Sequence, residues 1–373
     1  MPWKKPTFLQ FESTFRPSLL YNNLAYDGQD RFAVIDGSVV KVARRTWNMY
    51  YNWDSIIVFE DGREVTQCFW WKVPSRNSKL LVIATTMSDE SPASVEIWDI
   101  GSLGSNSKIY EFTMKNTASG NRIDFVRGMA SIELNHESET GTKKLLSILF
   151  AGTSTGHVLG ISADEMGFFE HATVVKELRS PITSLASDIK QSPTIVACDE
   201  DGNCIVWEFF HEYKDFLQKK TLYATRLPNR RDFYTTCALR GSVVVTGHRS
   251  GLLSFHQVED EGVFAEVVAS TASITSLAVM PTADCVVAGG EDCRASMFEF
   301  PRPAWRMTAK DRKASALFYS LCVNSKITGC AFVNLKDEKS LNFAVTLFEQ
   351  PYIVQYEHEL ADGDHNGPIW ETK

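Results

Sequence analysis

Three features of the sequence predict an all-β chain built as seven four-stranded sheets around a ring: a recurring five-residue segment, short apolar runs that do not alternate, and tight turns after those runs. The segment is clearest at Ile182-Thr183-Ser184-Leu185-Ala186. It returns unchanged at Ile274-Thr275-Ser276-Leu277-Ala278 and nearly so at Ile327-Thr328-Gly329-Cys330-Ala331. Weaker copies stand at Tyr234-Thr235-Thr236-Cys237-Ala238, Val126-Arg127-Gly128-Met129-Ala130, Val65-Thr66-Gln67-Cys68-Phe69 and Tyr21-Asn22-Asn23-Leu24-Ala25. Starts at 21, 65, 126, 182, 234, 274 and 327 give a period of about 40–60 residues, as expected for a propeller or a solenoid. A ring of such units also lets 373 residues form one domain, 1–357, because each unit packs only on its neighbours.

In chain order, the first candidate strand is 7–12, Thr7-Phe8-Leu9-Gln10-Phe11-Glu12, which belongs to no unit. Apolar runs then follow at 32–35, 80–84, 145–150, 195–198, 243–245, 286–288 and 343–345. Their β-branched and aliphatic content favours strands over helices. Without alternation, both faces should be covered, as in blades packed face to face; a two-layer sandwich would leave one face wet. Adjacent Trp70 and Trp71 would then point to opposite faces of one strand. Turns at 36–37, 152–156, 199–202, 247–251 and 289–292 carry glycine or acidic residues, and glycine supplies positive φ without steric cost. The only helical pattern is 310–321, where Ala314, Leu317, Phe318 and Leu321 share one face. The last unit holds three strands before an acidic tail, 358–373. The unused 7–12 strand is therefore expected to complete it and close the ring.

Composition narrows the function. An apolar content of 44% supports a packed core rather than disorder. A net charge of −8 argues against nucleic acid as the whole-chain partner. No apolar run reaches the length of a membrane span or a signal-peptide core. The eight cysteines form no CxxC pair and sit mostly within strand-like runs, so buried reduced thiols and a cytoplasmic, nuclear or ciliary location are expected.

The turn and strand-end residues carry a resemblance. Asp201 and Asp292 each lie six residues before an aromatic, Trp207 and Phe298, and Trp98-Asp99 ends another strand. These features resemble the WD-repeat β-propellers, in which such residues lock each blade. The chain departs from that pattern in having one Trp-Asp at the end of a candidate strand and no Gly-His dipeptide at the opening of a unit. Asn22-Asn23-Leu24, Arg127-Gly128-Met129-Ala130, Gly152-Thr153-Ser154-Thr155-Gly156-His157-Val158-Leu159 and Ala288-Gly289-Gly290-Glu291-Asp292 further resemble the family of WD repeat-containing protein 54. The superfamily resemblance implies a non-enzymatic scaffold or adaptor that serves other proteins in a multi-subunit assembly. Its contact surface would include Asp199, Glu200, His248, Arg249, Glu291 and Phe348. The narrower resemblance implies a role in a cilium or flagellum.

The residues themselves offer little catalysis. The eight histidines show no HExxH and no ligand spacing with cysteine, so neither metal nor cofactor is expected. Gly152-Thr153-Ser154-Thr155-Gly156 reads as a plain hairpin turn, not a nucleophile elbow, and no phosphate loop is present. A basic insert at 301–325 holds Arg302, Arg306, Lys310, Arg312 and Lys313 beside Trp305. It reads either as a solvated connection or as a site for an acidic partner protein. Two further readings stand beside the scaffold. One is a receptor for a small charged ligand or modified peptide in the central channel. The other is an RNA-associated propeller using 302–313.

Overall fold

The computed structural model describes residues 6–10, 15–45, 51–101, 105–114, 123–137, 143–170, 173–188, 193–210, 215–222, 232–259, 263–281, 284–300, 317–333 and 340–359. Among them lie 28 strands, all in antiparallel four-stranded sheets, and no helix. Strand β1 (Thr7–Gln10) comes first. Blade 1 holds β2 (Ala25–Tyr26), β3 (Arg31–Asp36), β4 (Val39–Arg45) and β5 (Tyr51–Val58). Blade 2 holds β6 (Val65–Trp71), β7 (Leu80–Thr85), β8 (Ala93–Ile100) and β9 (Asn106–Met114). Blade 3 holds β10 (Val126–Glu137), β11 (Lys143–Thr153), β12 (His157–Ala163) and β13 (Thr173–Glu177). Blade 4 holds β14 (Ile182–Ser187), β15 (Thr194–Asp199), β16 (Cys204–Phe210) and β17 (Asp215–Leu222). Blade 5 holds β18 (Tyr234–Arg240), β19 (Val243–His248), β20 (Leu252–Gln257) and β21 (Val263–Val268). Blade 6 holds β22 (Ile274–Val279), β23 (Cys285–Gly290), β24 (Arg294–Glu299) and β25 (Leu317–Cys322). Blade 7 holds β26 (Ile327–Phe332), β27 (Ser340–Leu347) and β28 (Tyr352–Glu359).

The first strands touch in sequence, β2 to β6, β10, β14, β18, β22 and β26, and β26 returns to β2. They form the inner ring. Blade 7 is completed by β1, which pairs antiparallel with β28 (Phe8 opposite Val354, Leu9 opposite Ile353). The expected seven-bladed propeller, closed by an N-terminal strand, is therefore the observed fold.

The core lies in the seams. Seven apolar clusters occur, one for each pair of neighbouring blades. Successive residues of a middle strand serve opposite seams: Leu81 and Ile83 face blade 1, Val82 and Ala84 face blade 3. All of β7, β15 and β23 is consequently buried, which is why their sequences do not alternate. Trp70 and Trp71 are both buried, in those same two seams. Six of the eight thiols are buried, Cys293 is half-buried and Cys322 exposed, and all are free.

One local expectation fails. The helical pattern over 310–321 ends in a strand, since Leu317–Cys322 is β25, the outer strand of blade 6. Leu321 lies opposite Ala295 and fills the seam with blade 7. Tertiary pairing overrides a short amphipathic period there. The basic residues Arg302, Arg306, Lys310, Arg312 and Lys313, and the tail beyond 359, lie outside the described residues.

The recurring segment has a mechanical role. In blades 2, 4, 5, 6 and 7 a β-bulge falls on its second residue, so Thr66, Thr183, Thr235, Thr275 and Thr328 have no cross-strand partner. A bulge re-aims its side chain, and four of these hydroxyls reach the next blade. Thr183 donates to the Tyr234 carbonyl (2.7 Å), Thr235 to Ile274 (2.5 Å) and Thr275 to Ile327 (2.5 Å). Thr66 donates to Val126. Arg127 holds the same place in blade 3 and donates through Nε to Ile182 (3.0 Å). Thr328 reaches Thr346 Oγ1 (3.0 Å), which donates to Asn23 (2.9 Å). The third residue adds a second tie, as Ser184 and Ser276 accept from the amides of Cys237 (3.1 Å) and Cys330 (2.8 Å).

Candidate functional site: the rim of turns and the filled channel

Blade geometry places the turns between second and third strands on one rim. In six blades the same bond fixes them: the amide after the second strand donates to the carbonyl before the first. The pairs are Thr86 to Glu64, Ser154 to Phe125, Glu200 to Pro181, Arg249 to Phe233, Glu291 to Ser273 and Phe348 to Lys326, at 2.7–3.0 Å. Glu200, Arg249, Glu291 and Phe348 thus occupy equivalent stations. Glu200 and Arg249 are exposed, Glu291 and Phe348 half-buried. Glu200 pairs with Arg127, and Glu291 with Lys326 at 3.0 Å. Arg249 lies over the Phe233 ring at 5.6 Å and has no ion pair among the described residues.

Asp199 and His248 are not surface groups. Each ends a second strand and is fully buried. The Asp199 carboxylate folds back on its own turn, accepting from the amides of Asp201 (3.1 Å) and Asn203 (2.8 Å) and from Asn203 Nδ2 (2.7 Å). Burial raises its pKa above the ordinary 3.8, and the hydrogen bonds from Asn203 only partly offset that. Asp199, rather than Asp201, caps this turn; Asp201 is exposed. Asp292 does tie its turn, accepting from the Thr271 amide (2.9 Å). Trp207 and Phe298 are buried in seams. Trp98 donates to Glu96 at 3.1 Å, and Asp99 pairs with Arg76.

Sequence spacing concealed one constellation. Ser254 Oγ lies 3.1 Å from His248 Nε2, and His248 Nδ1 lies 3.4 Å from Asp232 Oδ2. The order is that of a serine–histidine–aspartate relay. All three side chains are buried, however, and neither cavity described below reaches Ser254. The network is mechanical: Asp232 accepts from the amide (2.9 Å) and hydroxyl (2.8 Å) of Ser250 and so pins the blade 5 turn. Burial opposes ionisation of Asp232, but the adjacent His248 imidazole and the hydrogen bonds from Ser250 outweigh it and hold the pKa below 3.8. A depressed carboxyl stabilises the fold above its unfolded-state value and loses that contribution as pH falls through the folded-state value. Asp232→Asn should therefore cost about 1.5–3 kcal/mol at neutral pH, with variant and parent converging as pH falls through the depressed folded-state pKa. Urea unfolding across pH measures the difference.

The central channel is partly filled. Residues 15–24 run over the seam between blades 7 and 1 and end in the channel. Asn22, at φ 55°, donates through its amide to the Thr275 carbonyl (2.9 Å) and through Nδ2 to Thr236 Oγ1 (3.0 Å). Its Oδ1 accepts from the Leu277 amide (3.2 Å). One side chain thus spans to blades 5 and 6. What remains toward blades 2–4 is a cavity of about 180 Å³ bordered by Glu64, Thr66, Gln67, Arg127 and Thr183. That is room for about six waters, below the 300–1,000 Å³ or so of pockets for drug-sized ligands. A larger open hollow of about 550 Å³ lies between blades 1 and 2, lined by Glu60, Asp61, Asp89 and Glu90.

Solved structures show the same architecture. A chain of the mitotic checkpoint complex superposes with a TM-score of 0.65 at 13% identity, over 96% of this chain and 95% of that one. Raptor from Chaetomium thermophilum superposes with a TM-score of 0.62 at 12% identity, over 96% of this chain. The likeness is one of fold. This chain spans 29% of the Raptor chain. No protein-family model and no curated protein matches the sequence, so the narrower resemblance to WD repeat-containing protein 54 has no support from sequence comparison.

Proposed function

We propose that this propeller is a non-enzymatic scaffold that docks protein partners on the rim of turns. The observation that carries the reading is a division of side chains. Groups able to do chemistry, Asp199, His248 and Ser254, are sealed inside blades, whereas the equivalent stations of the rim present unlike residues. A closed ring tied by hydroxyl-to-carbonyl bonds is stiff, so docking on it orders little of the frame. The acidic hollow between blades 1 and 2 favours a partner with a basic surface. Similarity in fold to a chain of the mitotic checkpoint complex accords with work inside an assembly. A cytoplasmic location and a ciliary or flagellar setting remain part of this proposal. The size of the residual channel cavity weighs against the small-ligand receptor.

Purification of tagged chain from its native cells, with mass spectrometry, tests the reading. Charge reversal at Glu60, Asp89 and Glu90 to Lys should reduce recovery of the co-purifying protein at least about tenfold, the effect of losing about 1.4 kcal/mol, with the unfolding midpoint unchanged. Undiminished recovery of the same partner by the triple variant would refute docking there.

A further inference from the structure

The face opposite that rim carries a second feature. Of the eight exposed large apolar side chains among the described residues, Met166 (78% exposed), Phe168 (70%) and Val174 (56%) belong to one hairpin of blade 3. Singly exposed apolar residues need no explanation, but grouped ones do. The connection from β12 to β13 holds the first two on a rigid turn. Asp164 Oδ1 accepts from the amides of Met166 (2.9 Å) and Phe168 (3.0 Å), and Gly167, at φ 83°, donates to the Asp164 carbonyl (3.2 Å). Phe169, next in line, points the other way and packs on Trp71 and Tyr110 of blade 2, at 5.8 and 5.3 Å between rings. The turn is thus riveted across a blade seam, with its two large apolar side chains turned to solvent.

Charge says what could cover it. Positions 164–170, Asp-Glu-Met-Gly-Phe-Phe-Glu, include three carboxylates and no cation. Among the described residues the Asp164 carboxylate accepts only from backbone amides and the Glu165 carboxylate only from the Leu145 amide (2.8 Å), and neither has an ion pair. An anionic lipid surface would be repelled by this rim of carboxylates. We propose that the 164–170 turn is a docking hook for a partner protein whose apolar cleft is bordered by Lys or Arg. Met166 and Phe168 are the anchors and Glu165 reads the basic border. The turn is already held in shape, so little order is lost on docking. The hook stands apart from the rim, which would let one chain bridge two proteins.

A photoreactive amino acid encoded in place of Val174, in full-length chain exposed to extract of its native cells, tests the proposal. The expected adduct joins one protein, at a peptide combining Leu, Ile, Val or Phe with Lys or Arg. Its yield should fall at least about tenfold in Phe168→Ser and in Glu165→Lys, as for loss of an anchor, and persist in Arg249→Glu. Because Phe168 is mostly exposed, an unchanged melting curve in Phe168→Ser separates loss of docking from loss of fold. Adducts only with a second copy of the chain, adducts scattered over many proteins, none at all, or Phe168-dependent sedimentation with phosphatidylserine vesicles would each overturn it.

Discussion

Deleting residues 1–15 should lower the stability of the whole ring by more than any single substitution on the rim. Two contributions are lost. Strand β1 supplies a four-residue ladder on β28; at an exposed edge each hydrogen bond contributes about 0.5–1.5 kcal/mol net. Phe15 is 3% exposed and packs with Leu24, Phe32, Val34, Ala344 and Ile353 in the seam between blades 7 and 1. Emptying such a site costs about 3–5 kcal/mol. Phe15→Ala alone should therefore reproduce half or more of the loss. Phe8→Ala, on a side chain 55% exposed against Tyr352, should cost under about 1 kcal/mol. Urea unfolding of the three variants decides. A truncated chain as stable as the parent would mean that the ring does not depend on its N-terminal closure.

Much of this architecture was legible in the sequence because the repeat is the joint itself. Ile-Thr-Ser-Leu-Ala returns because Thr must bulge and bond the next blade while Ser accepts from it. The uniform apolar runs were legible because the middle strands face two seams at once. Outer strands were harder to read: β21 is half-buried along nearly its whole length, and β25 carries an amphipathic pattern that pairing overrules. The candidate site was legible in part. Turn positions located the rim stations, but spacing could not show which turn residues fold inward. Asp199 and His248 look like solvated turn groups and are instead buried, Asp199 as the cap of its own turn and His248 between Asp232 and Ser254. The Asp199-x-x-x-Asn203 spacing, with a matching Asp27-x-x-x-Arg31 whose carboxylate also accepts from the amides that follow it, was the available signal.

Gly329→Ala should be among the most damaging single substitutions, although alanine is only one carbon larger. Gly329 holds the third place of the repeat, where Ser276 accepts from the next blade at 2.8 Å. After blade 7 the neighbour is not an ordinary first strand but the end of the N-terminal segment. A Cβ on residue 329 would stand 2.5 Å from both Leu24 Cβ and the Leu24 amide nitrogen, and 2.6 Å from the Asn23 carbonyl carbon. Two of those atoms are backbone, so no rotamer change relieves the contact. Nor can the segment back away freely. Asn23 is 1% exposed; its amide donates to Thr328 (2.7 Å), its Nδ2 to Ser18 and Ile35 (2.9 Å each), and its Oδ1 accepts from Ile35 (2.8 Å). Overpacking costs about 1–3 kcal/mol where neighbours can yield, and these cannot. Each Asn23 bond broken by retreat would leave buried polar groups unpaired, at about 1–3 kcal/mol apiece. Gly329→Ala should thus lose at least about 3 kcal/mol, whereas Ser276→Ala, which removes one acceptor, should lose about 1–3 kcal/mol. If urea unfolding put Gly329→Ala within about 0.5 kcal/mol of the parent, a change typical of neutral surface sites, the segment could not be packed against blade 7 as the structure has it.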